Sequence, residues 1–153
     1  MNRRFAVLGI GAFVGLQLAG ALPLLAAQSK VYINSVTGIA INGYDPVAYF
    51  IEGRPVEGSD KYSTSWNGAT WHFSSAANKI KFAAMPEKFA PQYGGYCAFA
   101  VSYGSTATTV PEAWSVVDGK LYLNNSLGVR SRWNTDQSGY ISKANQNWPK
   151  VLQ

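Results

Sequence analysis

Hydrophobic and polar residues alternate most regularly on the two sides of Asn67-Gly68. An Asn-Gly pair favours the two positive-φ positions of a type I′ turn, so the pattern predicts a β-hairpin. Because successive side chains of a strand point to opposite faces, one face of this hairpin is aromatic and needs a cover. The cross-strand pairs predicted on that face are Trp66–Ala69, Thr64–Trp71 and Tyr62–Phe73. The opposite, polar face carries Ser63, Ser65, Thr70 and His72.

The segment after this hairpin has the spacing of a helix. Ser74 or Ser75 can cap its first turn, and Pro86 ends it because proline cannot continue a helix. The predicted apolar stripe, which we expect to cover the aromatic face of the hairpin, consists of Ala76, Ile80, Ala83 and Ala84.

A second hairpin is predicted around the Asp118-Gly119 turn. One of its faces carries Trp114, Val116, Leu121 and Leu123. Further helical segments are predicted over 86–89, 126–133 and 138–148. We expect both hairpins in one sheet, which gives an α+β fold with a small twisted antiparallel sheet and helices packed mainly on one face.

Residues 1–27 have the features of a secretory signal. Arg3 and Arg4 precede an apolar run from Phe5 to Leu25, and small residues follow at Ala26-Ala27. The prediction is a periplasmic or secreted protein whose mature part, 28–153, forms a single domain. Since Leu24 or Leu25 stands where a small residue is usual, an uncleaved membrane anchor is the alternative.

The charge of the chain is mild. The formal net charge of +5 falls to +3 without Arg3 and Arg4, because 11 basic residues then face 8 acidic ones. This charge is scattered, so nucleic acid is not an expected partner. The expected partner is a small molecule or a protein, with membrane contact only through an uncleaved N-terminus.

Four short motifs together carry a family resemblance. They are Asp45-Pro46-Val47, the hairpin WNGATWHFSS, Lys81-Phe82 and Pro86-Glu87-Lys88-Phe89. With them the chain resembles the YHS domain family over roughly Gly43 to Pro91. The segments GGYCAFAVS and EAWSVVDGKLYLN resemble the longer exported YHS-domain proteins of bacteria. The resemblance implies a YHS-like core with a C-terminal helical extension.

The resemblance also bears on metal binding. YHS domains are related to small metal-binding modules with cysteine ligands, and the corresponding positions here are Ala48, Ser74 and Asn78. None of these supplies a thiolate, so a metal site of that type is not expected. The cofactor is left open, and any metal needs other ligands, for which His72 and Cys97 are the candidates.

Cys97 is the one cysteine of the chain. If Gly94-Gly95 opens a helix, a cysteine in the first turn has a lowered pKa and is reactive. Otherwise Cys97 is a small buried residue, which would share one face of a strand with Phe99 and Val101. A dyad of Cys97 with His72, the one histidine, would permit thiol chemistry. On the predicted register, however, His72 lies on the polar face.

Tyrosines are concentrated in the two glycine-rich segments beside the hairpin unit. If these segments meet, phenol groups and Cys97 line an amphipathic pocket. The tyrosines concerned are Tyr44, Tyr49, Tyr93, Tyr96 and Tyr103. The candidate ligand-binding residues are Tyr44, Asp45, Tyr93, Tyr96 and Cys97, although Asp45 beside Pro46 also suits a turn cap.

The sequence contains no motif of a serine hydrolase, a phosphate-binding loop or a dinucleotide-binding fold. The leading hypothesis is therefore an exported, non-catalytic binding module for a small ligand or a metal-related species near Cys97. A thiol-dependent enzyme or redox protein that uses Cys97 with His72 is one alternative. A structural or interaction domain is the other.

Overall fold

The computed structural model describes residues 27–153. The predicted signal sequence therefore lies outside the described residues, apart from Ala27. No helix between residues 27 and 153 combines the length and apolar character that crossing a membrane requires. The elements in chain order are α1 (Ala48–Ile51), β1 (Ser59–Trp66), β2 (Ala69–Phe73), α2 (Ala76–Ala84), α3 (Pro86–Phe89), α4 (Ala98–Ser102), β3 (Trp114–Val117), β4 (Lys120–Leu123), α5 (Leu127–Asn134) and α6 (Gln137–Asn147).

The first hairpin has the predicted turn. Asn67 and Gly68 have φ values of 50° and 78°, as a type I′ turn requires. Two pairs of the aromatic face have the predicted register, Trp66 with Ala69 and Thr64 with Trp71. The third pair, Tyr62–Phe73, was wrong.

A register shift in β1 explains the wrong pair. Between Ser63 and Ser59 the ladder is interrupted, and Phe73 pairs with Ser59. Extra residues in one strand form a bulge, which bends the strand and changes the pairing beyond it. Tyr62 nevertheless packs, half-buried, against the core.

Helix α2 covers the aromatic face, but through other residues than predicted. Ser75 is its N-cap and accepts a hydrogen bond from the amide of Asn78. The buried positions are Asn78 and Phe82, whereas the predicted stripe of Ala76, Ile80, Ala83 and Ala84 faces solvent. The largest side chain of this stripe, Ile80, is 68% exposed.

Ring packing accounts for this rotation of α2. The Phe82 ring lies 5.2 Å from Trp71, 5.1 Å from Phe73 and 5.7 Å from Trp66, measured between centroids. One fully buried phenylalanine among three aromatic rings removes more apolar surface from water than a stripe of alanines with one isoleucine. The helix therefore turns its aromatic residue inward.

The second hairpin confirms the predicted Asp118-Gly119 turn and pairs Trp114 with Leu123. The expectation of one sheet was wrong, because the hairpins form two separate two-stranded sheets. The α+β class is confirmed.

Both faces of β4 are buried. Leu121 and Leu123 pack into the same cluster as Trp71 and Phe82, while Tyr122 packs into a second cluster. The second cluster contains Trp133 of α5 and Ala144 of α6, both fully buried. The side chains of β4 thus connect the two cores.

The C-terminal helices agree with prediction within one residue at each end. Ser126 caps α5 and accepts a hydrogen bond from the amide of Val129. Asp136 caps α6 through the amide of Gly139. Helix α4 packs on α6, where the Asn147 side chain donates to the carbonyl oxygens of Val101 and Ser102.

Candidate functional site

The carboxylate of Asp45 is fully buried, and five hydrogen bonds converge on it. Oδ1 accepts from the backbone amides of Val47 at 2.8 Å and Ala48 at 3.3 Å. Oδ2 accepts from the amide and hydroxyl of Ser74 at 2.9 and 2.7 Å, and from Nδ2 of Asn78 at 2.7 Å. The carboxylate thus joins the start of α1 to the end of β2 and to α2.

This network lies at the positions where the family resemblance implies cysteine ligands. Ala48 contributes its backbone amide, and Ser74 and Asn78 contribute donor side chains. Donor groups satisfy both oxygens of Asp45, and no thiolate is present, so these residues do not fit a thiolate-bound metal ion. Elsewhere in residues 27–153 no three His, Cys, Asp or Glu side chains cluster as metal ligands.

Asp45 therefore has the predicted turn-capping position and a wider role that the sequence did not reveal. The sequence contained part of the information for this network, because Ser74 and Asn78 occupy positions where the family resemblance implies cysteine ligands. Hydrogen bonds to a charged group contribute about 1.5–3 kcal/mol each, so this network stabilises the fold. Its burial leaves no face of Asp45 for a ligand.

Cys97 occupies the N-cap position of α4 and is 1% exposed. Its Sγ lies 3.6 Å from Oδ1 of Asn124, which also accepts the amide of Phe99. Burial raises the pKa of the Cys97 thiol, and hydrogen bonds from the surrounding backbone lower it less. Of the two alternatives for Cys97, the structure agrees with the small buried residue, although Cys97 lies at the start of a helix and not in a strand.

Asn124 is a residue that sequence reasoning missed. It is fully buried, and the Phe99 amide fixes the orientation of its side chain. Its Nδ2 has no hydrogen-bond partner within the described part of the chain. No motif distinguishes an asparagine at the end of a strand, so the sequence carries no signal for it.

His72 lies on the polar face of the first hairpin, opposite Ser63, as predicted. Its backbone packs against Gly58, and its ring lies near Gly43. No hydrogen bond joins His72 to Cys97 in residues 27–153, and Cys97 instead contacts Asn124 of the second hairpin's edge. The arrangement gives the predicted dyad no contact.

The two glycine-rich segments do meet, because Gly95 packs against Ile41. The tyrosine side chains nevertheless diverge. Their hydroxyl groups donate hydrogen bonds to separate partners. The Tyr49 hydroxyl donates to the carbonyl of Pro111, the Tyr93 hydroxyl to the side chain of Asn145, and the Tyr96 hydroxyl to the carbonyl of Ser29. Tyr103 packs against Phe99 and is 61% exposed.

The predicted residues therefore do not form one pocket. Tyr44 is half-buried and bridges to Glu57 through its backbone. Burial raises the pKa of the Tyr49, Tyr93 and Tyr96 hydroxyls, so all three are neutral hydrogen-bond donors at physiological pH. Cys97 does not line either of the two clefts described next.

One cleft combines aromatic side chains with a charged group, and it lies between α1, β3, α5 and α6. We call it the Trp114 cleft; it has a volume of about 500 Å³ and is lined by Tyr49, Phe50, Trp114, Ser115, Val116, Arg130, Asn134 and Gln137. The rings of Tyr49 and Trp114 pack 5.4 Å apart at its aromatic wall. This volume is within the usual range for small-molecule sites.

Arg130 supplies the charge of the Trp114 cleft. Its Nε donates to Oγ of Ser115 at 3.1 Å, and its guanidinium lies 5.9 Å from the Trp114 ring centroid. No ion pair in the described part of the chain involves Arg130. Because Nε alone is engaged, the terminal nitrogens can pair with an anion.

A second cleft adjoins the first. We call it the Asp136 cleft; it has a volume of about 650 Å³ and is lined by Val117, Asp118, Asn134, Thr135, Asp136, Gln137, Ser138, Ile141, Ser142 and Asn145. Asn134 and Gln137 line both clefts and are joined by a 3.0 Å hydrogen bond. Neither cleft was predicted from the sequence, because the walls of each come from separate segments.

Comparison with known protein families identifies residues 47–93 as a match to the YHS domain. The resemblance to this family is confirmed for that range, which contains α1, the first hairpin, α2 and α3. The matched range supplies Tyr49 and Phe50 of the Trp114 cleft, and the other lining residues follow it in the chain. No curated protein and no solved structure matched the chain.

Proposed function

Residues 47–93 form a YHS domain, and from this premise we propose that the chain is an exported, non-catalytic module that binds a small organic anion in the Trp114 cleft. The observation that carries the proposal is the guanidinium of Arg130. It is fixed by Ser115 and Trp114 beside an aromatic wall, and no carboxylate of the described residues neutralises it.

The chemistry of the cleft suits an amphipathic ligand. The aromatic wall takes a flat apolar body, and the guanidinium takes a carboxylate in a bidentate arrangement. At the far end, the amides of Asn134 and Gln137 offer further hydrogen bonds. Specific small-molecule sites have this combination of an apolar lining with a few placed polar groups.

A binding role fits the lack of catalytic geometry around the cleft. Among its lining residues Arg130 is the one charged group, and none of them is an aspartate, glutamate, histidine or cysteine. Glu112 lies close enough to Tyr49 to raise the pKa of its hydroxyl, but Glu112 does not line the cleft. The burial of Cys97 and the raised pKa of its thiol do not favour the thiol-dependent alternative.

Phenylacetate is a suitable probe, since it carries an aromatic ring and one carboxylate. We expect isothermal titration calorimetry to detect binding to the wild-type chain and about 10-fold or greater weakening in Arg130→Gln, because a charge-assisted hydrogen bond is lost. Phenylacetamide, which has the same shape without the charge, is expected to bind as weakly as phenylacetate binds that variant.

Arg132→Gln is the matched control, because Arg132 belongs to the same helix and stacks on Phe99 outside the cleft. Equal affinities of wild type and Arg130→Gln for phenylacetate would contradict the proposed site. Export is proposed from the sequence of residues 1–27 alone, and N-terminal sequencing of protein from the periplasm or medium tests it.

A further inference from the structure

The Trp114 and Asp136 clefts adjoin through two shared lining residues, and we call the two clefts together the groove. Arg130 lines the first cleft, whereas Asp118 and Asp136 line the second, so the two parts of the groove differ in charge. Neither aspartate belongs to an ion pair within residues 27–153. The shared residues Asn134 and Gln137 lie at the junction.

From this arrangement, and resting on the proposed function, we propose that the ligand is a short peptide. Its C-terminal carboxylate pairs with Arg130, and its cationic N-terminal end lies near Asp118 and Asp136. A last residue with an apolar side chain packs on Trp114.

The middle of the groove suits peptide groups. Oδ1 of Asn134 accepts a hydrogen bond from Gln137, which leaves Nδ2 of Asn134 and Oε1 of Gln137 for a ligand. Oδ1 of Asn145 accepts from Tyr93, which leaves its Nδ2. Side-chain amides provide both donors and acceptors, as the N–H and C=O groups of a peptide require.

The charges decide between a peptide and the other polar polymer that amides and an indole bind, a saccharide. A neutral saccharide supplies no opposite charge to the guanidinium or to either carboxylate, and an acidic saccharide places anions beside Asp118 and Asp136. A peptide with free ends matches the sign of charge at each end. Complementary charge of this kind determines specificity and register more than it determines affinity.

The probe is the tripeptide Lys-Ala-Leu with free termini, compared with two derivatives. In Lys-Ala-Leu amide the C-terminal charge is removed, and in acetyl-Ala-Ala-Leu the cations are removed while the carboxylate stays. We expect calorimetry to show about 10-fold weaker binding of the amide, because the pairing with Arg130 is lost. The acetylated peptide is expected to bind about three- to ten-fold more weakly, since exposed ion pairs contribute less.

Asp118→Asn/Asp136→Asn is the diagnostic variant, and both changes preserve the fold. Asn-Gly is a favoured type I′ turn, and asparagine caps a helix as well as aspartate does. The variant is expected to bind Lys-Ala-Leu with the weaker affinity of acetyl-Ala-Ala-Leu, while its affinity for acetyl-Ala-Ala-Leu equals that of the wild type.

Equal wild-type affinities for Lys-Ala-Leu and acetyl-Ala-Ala-Leu would overturn the peptide proposal, as would tighter binding of the neutral trisaccharide maltotriose. If phenylacetate still binds through Arg130 in that case, the proposed function stands and its extension to peptides falls. If phenylacetate binding is insensitive to Arg130→Gln, the proposed function itself fails.

Discussion

The side-chain amide of Asn78 donates a 2.7 Å hydrogen bond to the buried carboxylate of Asp45, although 33 positions separate the two residues. Together with Ser74 these residues occupy the region where the family resemblance implies metal ligands. Here hydrogen-bond donors of the protein surround a carboxylate. Their hydrogen bonds hold α1, β2 and α2 together, as a structural metal ion holds the segments that supply its ligands.

Substitution of Asp45 tests this interpretation. In Asp45→Asn one acceptor oxygen becomes an amide NH2 group, which must face backbone or side-chain donors that now have no acceptor. We expect the free energy of unfolding, measured by urea titration, to fall by about 2–4 kcal/mol. Asp60→Asn, at an exposed position of β1, is the control and is expected to change it by less than about 0.5 kcal/mol. Equal stabilities of the two variants would contradict a stabilising role for the network.

The burial of Cys97 predicts a pH dependence of stability. Its thiol has a raised pKa in the folded protein, against an ordinary value of about 8.5 in the unfolded chain. Above that pH the unfolded chain releases the proton and the folded protein retains it. Since the unfolded state then binds fewer protons, the free energy of unfolding falls as pH rises.

Urea titrations between about pH 7.5 and 9 measure this slope, because the tyrosines with raised pKa values, whose ordinary value is about 10, add to it mainly above about pH 9. We expect a shallower slope in Cys97→Ala, whatever the stability of that variant. An unchanged slope would contradict the assignment to Cys97.

Alkylation of the thiol distinguishes the two hypotheses about Cys97. A residue 1% exposed with a raised pKa is expected to react with iodoacetamide only after denaturation. Mass spectrometry of folded and urea-treated protein measures the difference. Rapid labelling of the folded protein at pH 7 would instead favour the thiol-dependent alternative.

Local chemistry made several elements predictable from the sequence. The Asn67-Gly68 and Asp118-Gly119 turns have positive φ at both positions. Few other residue pairs tolerate this conformation, so the pairs themselves predicted the turns. Ser75 and Ser126 cap helices because their side chains bond amides three residues later. These features depend on neighbours in the chain, so a single sequence contains them.

The features that were missed depend on contacts between distant segments. The rotation of α2 was set by three aromatic rings of the hairpin, and the partners of Asp45 come from two other elements. The Trp114 cleft likewise joins residues that are 80 or more positions apart, such as Tyr49 and Arg130. Periodicity identified α2 as a helix, but it could not determine which of two apolar faces would be buried.

Two substitutions in α2 test its rotation. Phe82→Ala removes a fully buried ring that packs against Trp71, and we expect it to lower the free energy of unfolding by about 3–5 kcal/mol. Ile80→Ala, on the face that periodicity had assigned to the core, is expected to change it by less than about 0.5 kcal/mol because the side chain is 68% exposed. Thermal unfolding of the two variants measures this, and a larger loss in Ile80→Ala would restore the face predicted from the sequence.

The final prediction concerns the close approach of Gly58 to β2. A Cβ atom at Gly58 would lie 2.6 Å from the carbonyl carbon of His72 and 2.7 Å from its Cβ, both of which are closer than such atoms approach in proteins. Since the obstacle includes backbone, Gly58→Ala must displace the strand. We expect a loss of about 1–3 kcal/mol in the free energy of unfolding, as for other overpacked sites.

Gly128→Ala provides the matched control. Gly128 lies within α5, and the nearest atom to its added Cβ would be Oγ of Ser126 at 3.9 Å. Alanine is favoured over glycine in a helix, so this variant is expected to gain about 0.5–1 kcal/mol. Urea titration of both variants measures the contrast. If Gly58→Ala is as stable as Gly128→Ala, the packing of the 58–59 segment against His72 differs from the structure described. The half-buried position of the imidazole on the polar face of the first hairpin would then also be wrong.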